Sequence, residues 1–547
     1  MTRTSADAVV IGAGHHGLVA AAVLADAGWD VVVLEGQDDV GGAVRSKEGH
    51  PGFVVDRFSA FYPLGAASPV IRGLDLASHG LRWAHAPSVL AHPHGPQDEV
   101  GALLHRDPQR TADALGADAP ADRATWLRLV EQWQAIRDPL LDSLLTAWPP
   151  VRSATRLLAR LGTADALRLA RFATLPATRM GEELFVGEHG RRLLAGNAMH
   201  ADAPLDGAIS GTFGWLLLML GQDVGWPVPE GGAGHLAEAL RRRAVAAGAQ
   251  VITGDAVTSV VVSGGRAVGV CTAAGHEVSA RRAVLADVSV PALYGQLLPD
   301  HVVPARLRED LGRFDWDLAT VKIDYALSGP VPWRAATARG AGTVHVGADL
   351  DHDGSPLSAV QGLVRWNADL RSRRVPRAPF GLVGQMTTAD PSRSPAGTES
   401  LWAYTHVPVG LTGAAVAEEV ATNMQDVLER HAPGFTDLVL DKVVHGPADL
   451  EDNDANLVGG AVNGGTSQLH QQLVFRPTPG AGGARTVVDR LYLASAATHP
   501  GGGVHGGCGY LAARAALRDA APVLGPLRRR STSVLLDLVY RPSRSAR

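Results

Sequence analysis

The sequence predicts an α/β fold in which a parallel sheet is combined with a helical cap and a second, antiparallel sheet. Three observations support this prediction. An apolar strand near the N-terminus runs into a glycine turn and a helix, a segment with helical spacing of apolar residues follows, and strand-like pieces dominate the later part of the chain. With 547 residues, the chain is long enough for two or three domains.

The first glycine turn follows the apolar residues 9–11 and precedes a segment, residues 18–28, with apolar residues at helical spacing. Gly12 permits the tight bend, Gly14 allows the backbone to approach a pyrophosphate, and Gly17 permits close packing of the helix. The amides at the N-terminus of that helix face the phosphates. The pattern predicts a binding site for an adenine dinucleotide, and a purely structural glycine turn is the alternative.

An acidic residue ends the second strand of this unit. Glu35 follows the apolar residues 31–34, at the position where a carboxylate accepts hydrogen bonds from ribose hydroxyl groups. The same carboxylate would repel a 2′-phosphate, which disfavours NADP. Strand, helix, strand and acid therefore form a Rossmann-like βαβ unit.

A second glycine turn, Gly41 and Gly42, is followed by Arg45. Such a turn has no obvious purpose in an enzyme that binds NAD. In a flavoprotein it lies beside the pyrophosphate, where Arg45 is available as a charge-assisted hydrogen-bond donor. The sequence thus favours FAD, and an ordinary surface loop is the alternative.

Composition excludes several classes of protein. The net charge of −5 gives no general attraction to nucleic acid, so we expect no nucleic-acid partner. Cys271 and Cys508 are the only cysteines, which is too few for a disulfide framework or a cysteine-based metal site and fits a reducing compartment. No stretch resembles a signal peptide or a membrane span, so we expect a cytoplasmic protein.

One group of histidines and acids resembles a set of metal ligands, namely His92, His94, Asp98, Glu99 and His105. Their segment is rich in proline and lacks a fixed i, i+4 pair, so we interpret it as a solvated loop. We therefore expect no metal site in this protein.

The order of the predicted elements divides the chain into four parts. We expect a discontinuous FAD-binding domain, a helical cap, a substrate domain and a basic tail; these are residues 1–75 with 228–295 and 482–525, residues 76–227, residues 296–481 and residues 526–547. Residues 251–262 are expected to form one strand of a β-meander that completes the first domain.

Helical spacing in the cap predicts helices over residues 124–147, 154–173 and 213–220. We expect the tryptophans of the cap to pack in the core rather than to line a cavity; these are Trp126, Trp133, Trp148 and Trp215.

The substrate domain is predicted to contain strands over residues 319–327, 401–406 and 473–475 and a helix over residues 413–431. Lys322 lies in the first of these strands. A lysine in a strand usually extends its ammonium group to solvent, which is the expectation here, and a desolvated catalytic lysine is the alternative.

Near the C-terminus, a buried strand at residues 491–494 is followed by a glycine-rich loop and a helix at residues 511–517. The loop includes Gly503, Val504 and His505. Backbone amides in such a loop approach a ligand closely, and the positive end of the helix favours the negative charge that gathers at N1 and the C2 carbonyl of a reduced flavin. This loop is the predicted contact with the flavin ring.

Taken together, residues 9–17, 41–42, 229–234 and 492–510 resemble the phytoene desaturase and carotenoid dehydrogenase-like family of FAD oxidoreductases over nearly the whole chain. Further segments, residues 50–56, 471–477 and 498–503, resemble its subgroup typified by the pyridine nucleotide-disulphide oxidoreductase domain-containing protein 2. The resemblance implies a flavoprotein fold of the amine oxidase and phytoene desaturase type, with two dinucleotide-binding segments and non-covalent FAD.

The resemblance also implies the residues that bind FAD. Gly12, Gly14 and Gly17 would hold the pyrophosphate, and Val257 would present its backbone to adenine. The full set of expected FAD-binding residues is Gly12, Ala13, Gly14, His16, Gly17, Glu35, Gly36, Gly41, Gly42, Arg45, Ser59, Val257, Ser495, Gly503, Val504 and His505.

The expected activity is that of a dehydrogenase or desaturase that takes a hydride from a carbon of an apolar or amphipathic small molecule onto flavin N5. Oxygen, a quinone or another acceptor would reoxidise the flavin. His505 is the candidate acid–base catalyst, with a structural or flavin-contact role as the alternative. A covalent flavin link through Cys508 is also open, although a small buried residue is the simpler interpretation.

Other functions are compatible with the same sequence. They are an amine or amino-acid oxidase, a flavin-dependent isomerase or saturase, and an FAD-stabilised interaction protein without turnover. Arginines surround apolar residues in the tail, so it is either a solvated terminal helix or a basic helix that contacts anionic lipid at a membrane surface.

Overall fold

A computed structural model describes residues 4–58, 60–480 and 482–541. Its strands are β1 (Ser5–Ile11), β2 (Val31–Leu34), β3 (Ser46–Glu48), β4 (Val54–Asp56), β5 (Trp83–Ala84), β6 (Ser88–His92), β7 (Ala102–Leu104), β8 (Val228–Pro229), β9 (Gln250–Ile252), β10 (Val257–Ser263), β11 (Arg266–Thr272), β12 (Glu277–Ala286), β13 (Thr320–Leu327), β14 (Ala341–Val346), β15 (Gly381–Gln385), β16 (Glu399–His406), β17 (Val439–His445) and β18 (Leu491–Leu493).

The helices of the same residues are α1 (His15–Asp26), α2 (Pro63–Ala67), α3 (Pro69–Arg72), α4 (Pro108–Asp118), α5 (Pro120–Leu144), α6 (Val151–Thr174), α7 (Ala177–Leu184), α8 (Glu188–Ala198), α9 (Ser210–Asp223), α10 (Gly234–Ala246), α11 (Val290–Ala292), α12 (Ala305–Leu311), α13 (Ala359–Arg371), α14 (Met386–Ala389), α15 (Ala414–His431), α16 (Pro447–Asn453), α17 (Gly507–Asp519) and α18 (Leu524–Val539). None of these described helices is long and apolar enough to cross a membrane.

The first sheet has the order β10-β11-β12-β1-β2-β9, and β18 also pairs with β12. Strands β9, β2, β1, β12 and β18 are parallel, whereas β10, β11 and β12 form an antiparallel meander. The apolar runs of β1 and β2 are buried because both faces of this sheet are covered. The single strand expected over residues 251–262 is wrong: the chain forms two strands, β9 and β10, that pair with different neighbours.

The second sheet has the order β17-β13-β16-β15-β14-β6-β7 and is antiparallel except for the β14–β6 pair. Two of its strands, β6 and β7, come from the segment that the sequence predicts to be a helical cap, so this segment is not helical throughout. The strand expected over residues 473–475 is also wrong. Leu473 has a left-handed backbone (φ +57°), and the segment forms a 3₁₀ turn.

Cross-strand register fixes which side chains of the second sheet share a face. Lys322 is opposite Tyr404, Tyr404 is opposite Leu382, and Leu382 is opposite His345. Directly opposite residues project to the same side of a sheet. This row therefore crosses four strands on one face, and α15 covers the other face through an apolar cluster.

The cap helices pack as the tryptophan pattern predicts, with one exception. The side chains of Trp126, Trp133 and Trp215 are buried among apolar residues of the cap. Trp148 is 38% exposed, contrary to the expectation, since it lies in the connection between α5 and α6. His92 is another correction: it ends β6 and is buried rather than solvated.

Candidate active site

A cavity of about 460 Å³ connects the two glycine-rich segments of the chain. Gly14 and Gly42 line it on one side, and Gly503 and Val504 line it on another. Residues that are far apart in the sequence thus meet at one site, as the sequence predicts. The remaining walls come from the cap and from the second sheet.

The first glycine turn has the tight geometry that its sequence indicates. Gly12 has a left-handed backbone (φ +91°), and a side chain on Gly17 would overlap the carbonyl oxygen of Gly12. The amide nitrogen of Ala13 donates a hydrogen bond of 2.6 Å to the carboxylate of Glu35. In addition, Gly41 donates to the carbonyl of Ala13 over 2.8 Å, so both glycine turns and the acid form one unit.

A buried acid, Asp287, lies directly under this turn. Its carboxyl group accepts a hydrogen bond of 2.8 Å from the amide of Gly17, and a Cβ atom on Gly14 would stand 2.6 Å from it. Burial raises the pKa of Asp287 to about 8, so the group is largely protonated at neutral pH. A neutral carboxyl group places no full negative charge beside a bound pyrophosphate.

The residues that follow α16 close the site over the second glycine turn. Arg45 donates hydrogen bonds to the carbonyl groups of Gly42, over 2.9 Å, and of Asn453. Asp454 lies next to Gly42, and burial raises its pKa to about 6. The predicted phosphate contact of Arg45 stays a prediction, because its Nε and Nη2 atoms donate to main-chain carbonyl groups here.

Two adjacent histidines at the start of α1 carry buried nitrogen atoms without a hydrogen-bond partner among the described residues. These atoms are Nε2 of His15 and both ring nitrogens of His16. Both histidines line the cavity, and burial keeps their pKa values below the usual range, for His15 at about 4. Neutral rings with free nitrogens in the wall of a cavity indicate polar groups of a bound ligand as their partners.

The C-terminal loop brings His505 to the cavity wall with both ring nitrogens engaged. Its Nδ1 accepts a hydrogen bond of 2.9 Å from the amide of Gly507, and its Nε2 lies 3.2 Å from the carbonyl oxygen of Gly501. This arrangement assigns the proton to Nε2. Burial lowers the pKa of His505 to about 3, so the neutral ring holds the loop in shape. Its catalytic role stays a prediction, and the geometry supports a positioning role.

Cys508 lies behind the same loop and is fully buried. Its thiol is near the carbonyl oxygens of Thr498 and Gly501, and burial raises its pKa to about 12. His16, His505 and Cys508 place possible metal-binding atoms within 4.8 Å of one another. A protonated thiol and a histidine whose nitrogens are both engaged do not suit a metal ion, so we assign the group to the packing of the loop.

The other expected site residues have different placements. Ser495 lines the cavity and donates to the carbonyl of Val288 over 2.6 Å. Gly36 packs on Ala256, where a Cβ atom would stand 3.0 Å from the Ala256 side chain, and Val257 begins the next strand. Neither Gly36 nor Val257 is part of the cavity wall. Ser59 lies outside the described residues.

These observations fit FAD. The glycine turns leave room for a pyrophosphate where side chains would collide, Glu35 directly follows β2, and two histidines with unpartnered ring nitrogens belong to the cavity wall that also includes the C-terminal loop. A family model described as flavin containing amine oxidoreductase matches residues 17–517. The chain belongs to this family. FAD is therefore its cofactor, and the predicted flavoprotein fold is confirmed.

Relatives of this flavin-dependent oxidoreductase agree with the resemblance seen in the sequence. The pyridine nucleotide-disulfide oxidoreductase domain-containing protein 2 of Rattus norvegicus is 30% identical, covering 94% of this chain and 93% of the relative. A limonene dehydrogenase polypeptide of Castellaniella defragrans is 22% identical, covering 94% of each chain. The zeta-carotene-forming phytoene desaturase of Myxococcus xanthus is 26% identical, covering 91% and 90%.

A solved structure shows the same fold. The crystal structure of an oxidoreductase from Methanosarcina mazei matches with a TM-score of 0.59 and 17% identity, covering 93% of this chain and 99% of the other.

The part of the flavoprotein cavity that faces the cap and second sheet is mainly apolar. Its apolar wall residues include Phe61, Leu64, Leu145, Phe213, Leu216, Leu217, Trp226, Leu382 and Trp402. Trp402 extends across the neighbouring strand β15, where a side chain on Gly384 would overlap its ring. No local pattern in the sequence indicates this wall, since its residues come from several separate segments.

Lys322 also lines the cavity, contrary to the expectation that it extends to solvent. Only 2% of the residue is exposed, and its ammonium group forms an ion pair with Asp324, two positions along the same strand. His445 lies 3.2 Å from the other carboxylate oxygen of Asp324. The strand pairs with β17 on one side and β16 on the other, and both faces of the sheet are covered here, so the side chain of Lys322 does not extend into bulk water.

Sequence reasoning missed two acids of the cofactor site. Asp287 directly follows β12, a parallel strand of the first sheet, and this position was readable because ligands bind beyond the carboxyl ends of such strands. Asp454 directly follows α16 and carries no comparable signal. Only the folded chain places it beside Gly42.

Proposed function

We propose that this chain is an FAD-dependent dehydrogenase or desaturase that takes a hydride from a carbon of an apolar or amphipathic small molecule. The observation that carries the proposal is the shared cavity, which continues from the glycine turns to an apolar chamber between the cap and the second sheet. Bound FAD supplies the hydride acceptor, atom N5, while the protein supplies orientation and a dry environment.

The composition of the chamber supports this class of substrate. Leucine, phenylalanine and tryptophan side chains form its apolar surface, and such surfaces favour ligands that transfer apolar area out of water, at roughly 25 cal/mol per Å². Two of the relatives are named for limonene and phytoene, which are both apolar. A charged group placed against these apolar side chains would lose its hydration.

The residues of the chain have distinct tasks in this proposal. The glycine turns and the helix N-terminus of α1 would hold the dinucleotide, and the neutral His505 fixes the shape of the C-terminal loop that would contact the flavin. Lys322 adds one positive charge to the cavity wall, held by the carboxylate of Asp324. Oxygen, a quinone or another acceptor would take up the electrons in the second half of the reaction.

An anaerobic substrate screen tests the proposal. FAD-loaded protein is mixed with terpenes, long-chain alcohols, fatty aldehydes and alkyl amines, and loss of the flavin absorbance band is recorded. We expect apolar or amphipathic compounds to bleach the band. A Leu217→Trp variant, which fills the chamber, should retain FAD and bleach more slowly, while the exposed Leu158→Trp serves as the matched control.

The other outcomes have clear meanings. Bleaching by amines alone, with release of peroxide in air, would identify an amine oxidase and overturn the proposal. Activity that requires previously reduced flavin would identify an isomerase or saturase. A flavin that dithionite reduces but no compound reduces would indicate a protein without turnover.

We also propose that the last helix contacts anionic membrane surfaces. On α18, the leucines Leu527, Leu535 and Leu538 are exposed, and Arg530 lies on the same exposed helix. An exposed helix with both apolar and cationic residues is typical of interfacial binding. Leu536 of the same helix is buried in the core, so the helix is anchored to the protein.

A further inference from the structure

Two threonines of the cavity wall, Thr320 on β13 and Thr343 on β14, carry buried hydroxyl groups without a hydrogen-bond partner among the described residues, and Thr343 is the one next to a pair of histidines. The side chain of Thr343, on β14, lines the cavity and only 1% of the residue is exposed. Its Oγ1 atom has no hydrogen-bond partner among the residues that the structure describes. A buried hydroxyl group without a partner is costly and uncommon in proteins, so a group that enters the cavity is the natural partner.

A pair of histidines lies beside this threonine. His345 is two positions from Thr343 on the same strand and projects to the same face, and its Nε2 is 3.0 Å from Nε2 of His200, which lines the cavity. A hydrogen bond between two ring nitrogens requires one protonated and one unprotonated atom. One of the two histidines therefore carries its proton on Nε2, and the other carries its proton on Nδ1.

The backbone makes room for these rings. A Cβ atom on Gly196, in α8, would stand 2.5 Å from Nδ1 of His345 and 2.6 Å from Nδ1 of His92. Both Nδ1 atoms are buried and have no partner within the described part of the chain. The rings of His92, His345 and His200 thus pack against one another, and His200 is the one that lines the cavity.

The charge state of the pair limits the ligand. Burial lowers the pKa of His200 to about 3 and that of His345 well below its usual range, so both rings are neutral at physiological pH. A carboxylate or phosphate finds no cation there. A hydroxyl or carbonyl oxygen, in contrast, forms hydrogen bonds with a threonine hydroxyl and with the remaining ring nitrogen of a neutral imidazole, which in this pair is Nδ1 of His200, since the two Nε2 atoms bond to each other and Nδ1 of His345 lies against Gly196.

We propose that Thr343 and the His200–His345 pair form a subsite for a neutral oxygen-bearing group at the end of an otherwise apolar substrate. This inference rests on the proposed function, whose substrate class it narrows to amphipathic alcohols, ketones or aldehydes. The oxygen atom is bound at the β14 end of the chamber, and the apolar part of the molecule extends along the leucine and phenylalanine wall toward the flavin.

A binding experiment tests the subsite without turnover. FAD-loaded protein is titrated with 1-octanol, 2-octanone and 1-chlorooctane, which share eight carbons and differ in the single heteroatom, and dissociation constants come from calorimetry or tryptophan fluorescence. Trp226 and Trp402 line the cavity and report the binding. We expect the oxygen-bearing ligands to bind roughly tenfold more tightly than 1-chlorooctane, as one or two hydrogen bonds predict.

Variants locate the preference. Thr343→Val keeps the shape of the side chain and should reduce the preference for 1-octanol roughly three- to tenfold without changing the affinity for 1-chlorooctane. Thr343→Ser restores the hydroxyl group and should restore the preference. Thr405→Val is the matched control, because it removes a buried hydroxyl group from the same sheet whose partner is the carbonyl of Phe380.

Equal affinities for all three ligands in the unmodified protein would overturn the subsite, as would a preference that survives Thr343→Val. Loss of the preference in Thr405→Val to the same extent would also overturn it, because the effect would then be a general loss of stability. These results are distinguishable from failure of the proposed function, which is measured by flavin bleaching. If 2-octanone alone shows the preference, the subsite binds a carbonyl group; if 1-octanol alone does, it binds a hydroxyl group.

Discussion

The amide nitrogen of Gly17 donates a hydrogen bond of 2.8 Å to the buried carboxyl group of Asp287. The glycine belongs to the predicted dinucleotide turn, and the acid follows β12, the strand that pairs with β1 on the side opposite to β2. This contact places a titratable group under the turn at the point where a pyrophosphate is expected.

Asp287→Asn should flatten the pH dependence of stability. The pKa of this carboxyl group is about 8 in the folded protein and near 3.8 in the unfolded chain, so between these values the folded state holds the additional proton. The contribution of this carboxyl group to the free energy of unfolding is complete below pH 3.8. It is lost as pH rises toward 8, by up to about 1.4 kcal/mol per pH unit. Asparagine remains neutral and keeps an oxygen acceptor for Gly17.

Urea denaturation of the apo-protein at pH 6 and pH 8 measures this effect. The unmodified protein should lose more free energy of unfolding between the two pH values than the variant does. Asp426→Asn, at an exposed acid, is the control. A variant with the same pH dependence as the unmodified protein would show that Asp287 is already ionised.

His505→Ala should weaken FAD binding without removing a step from the pH profile. The substitution deletes the acceptor for the Gly507 amide and the contact with Gly501, so we expect the dissociation constant for FAD to rise roughly tenfold. Because the pKa of His505 is about 3, its titration does not contribute between pH 5 and 9. Flavin fluorescence and the pH dependence of bleaching provide the measurements. Normal FAD affinity together with a lost step near neutral pH would establish acid–base catalysis instead.

Lys322→Met should destabilise the protein by about 3–5 kcal/mol, because it leaves the buried carboxylate of Asp324 without its ammonium partner. The double variant Lys322→Met/Asp324→Leu removes both charges and should recover most of that loss. Thermal unfolding of the FAD-loaded proteins distinguishes the two. If the double variant is as unstable as the single variant, the pair is not the source of the effect. Slower flavin bleaching in the stable double variant would assign the lysine a role at the reacting end of the cavity.

Leu535→Ser with Leu538→Ser should reduce binding to anionic vesicles about tenfold or more, because both exposed leucines would be lost from the proposed contact. Co-sedimentation with phosphatidylglycerol vesicles measures the effect, and phosphatidylcholine vesicles are the control. Deleting the tail is a poorer experiment, since it removes the buried residues Leu536 and Tyr540. Unchanged sedimentation of the double variant would exclude this helix as the membrane contact.

Acid precipitation of the FAD-loaded protein should release all yellow colour into the supernatant. The thiol of Cys508 is buried with a pKa raised to about 12, so it is not a nucleophile toward the flavin. Colour retained in the pellet, and lost in Cys508→Ser, would demonstrate a covalent link.

The sequence was most informative where a local pattern has one physical solution. Gly12, Gly14 and Gly17 between an apolar strand and a helix determine the dinucleotide turn, because each position needs the absence of a side chain. The same reasoning found the C-terminal loop. Helices of the cap were readable from their period, but β6 and β7 were not, since short strands in a helical segment lack a distinct pattern.

The substrate chamber depended on contacts that no local pattern encodes. Lys322 was expected in solvent, and the pairing of β13 between β16 and β17 buries it beside the cavity. Thr343, His200 and His345 become neighbours only because strand register and the short turn after α8 bring them to one face.

By itself, the sequence determined the cofactor and the class of fold, because glycine conformations and apolar runs act over a few residues and leave a readable spacing. The tertiary structure alone decided which polar groups enter the apolar chamber and which charges are neutralised by burial. Both properties depend on how deeply a group is buried and on which distant segments contact it. Neighbouring residues in the sequence do not determine either of these.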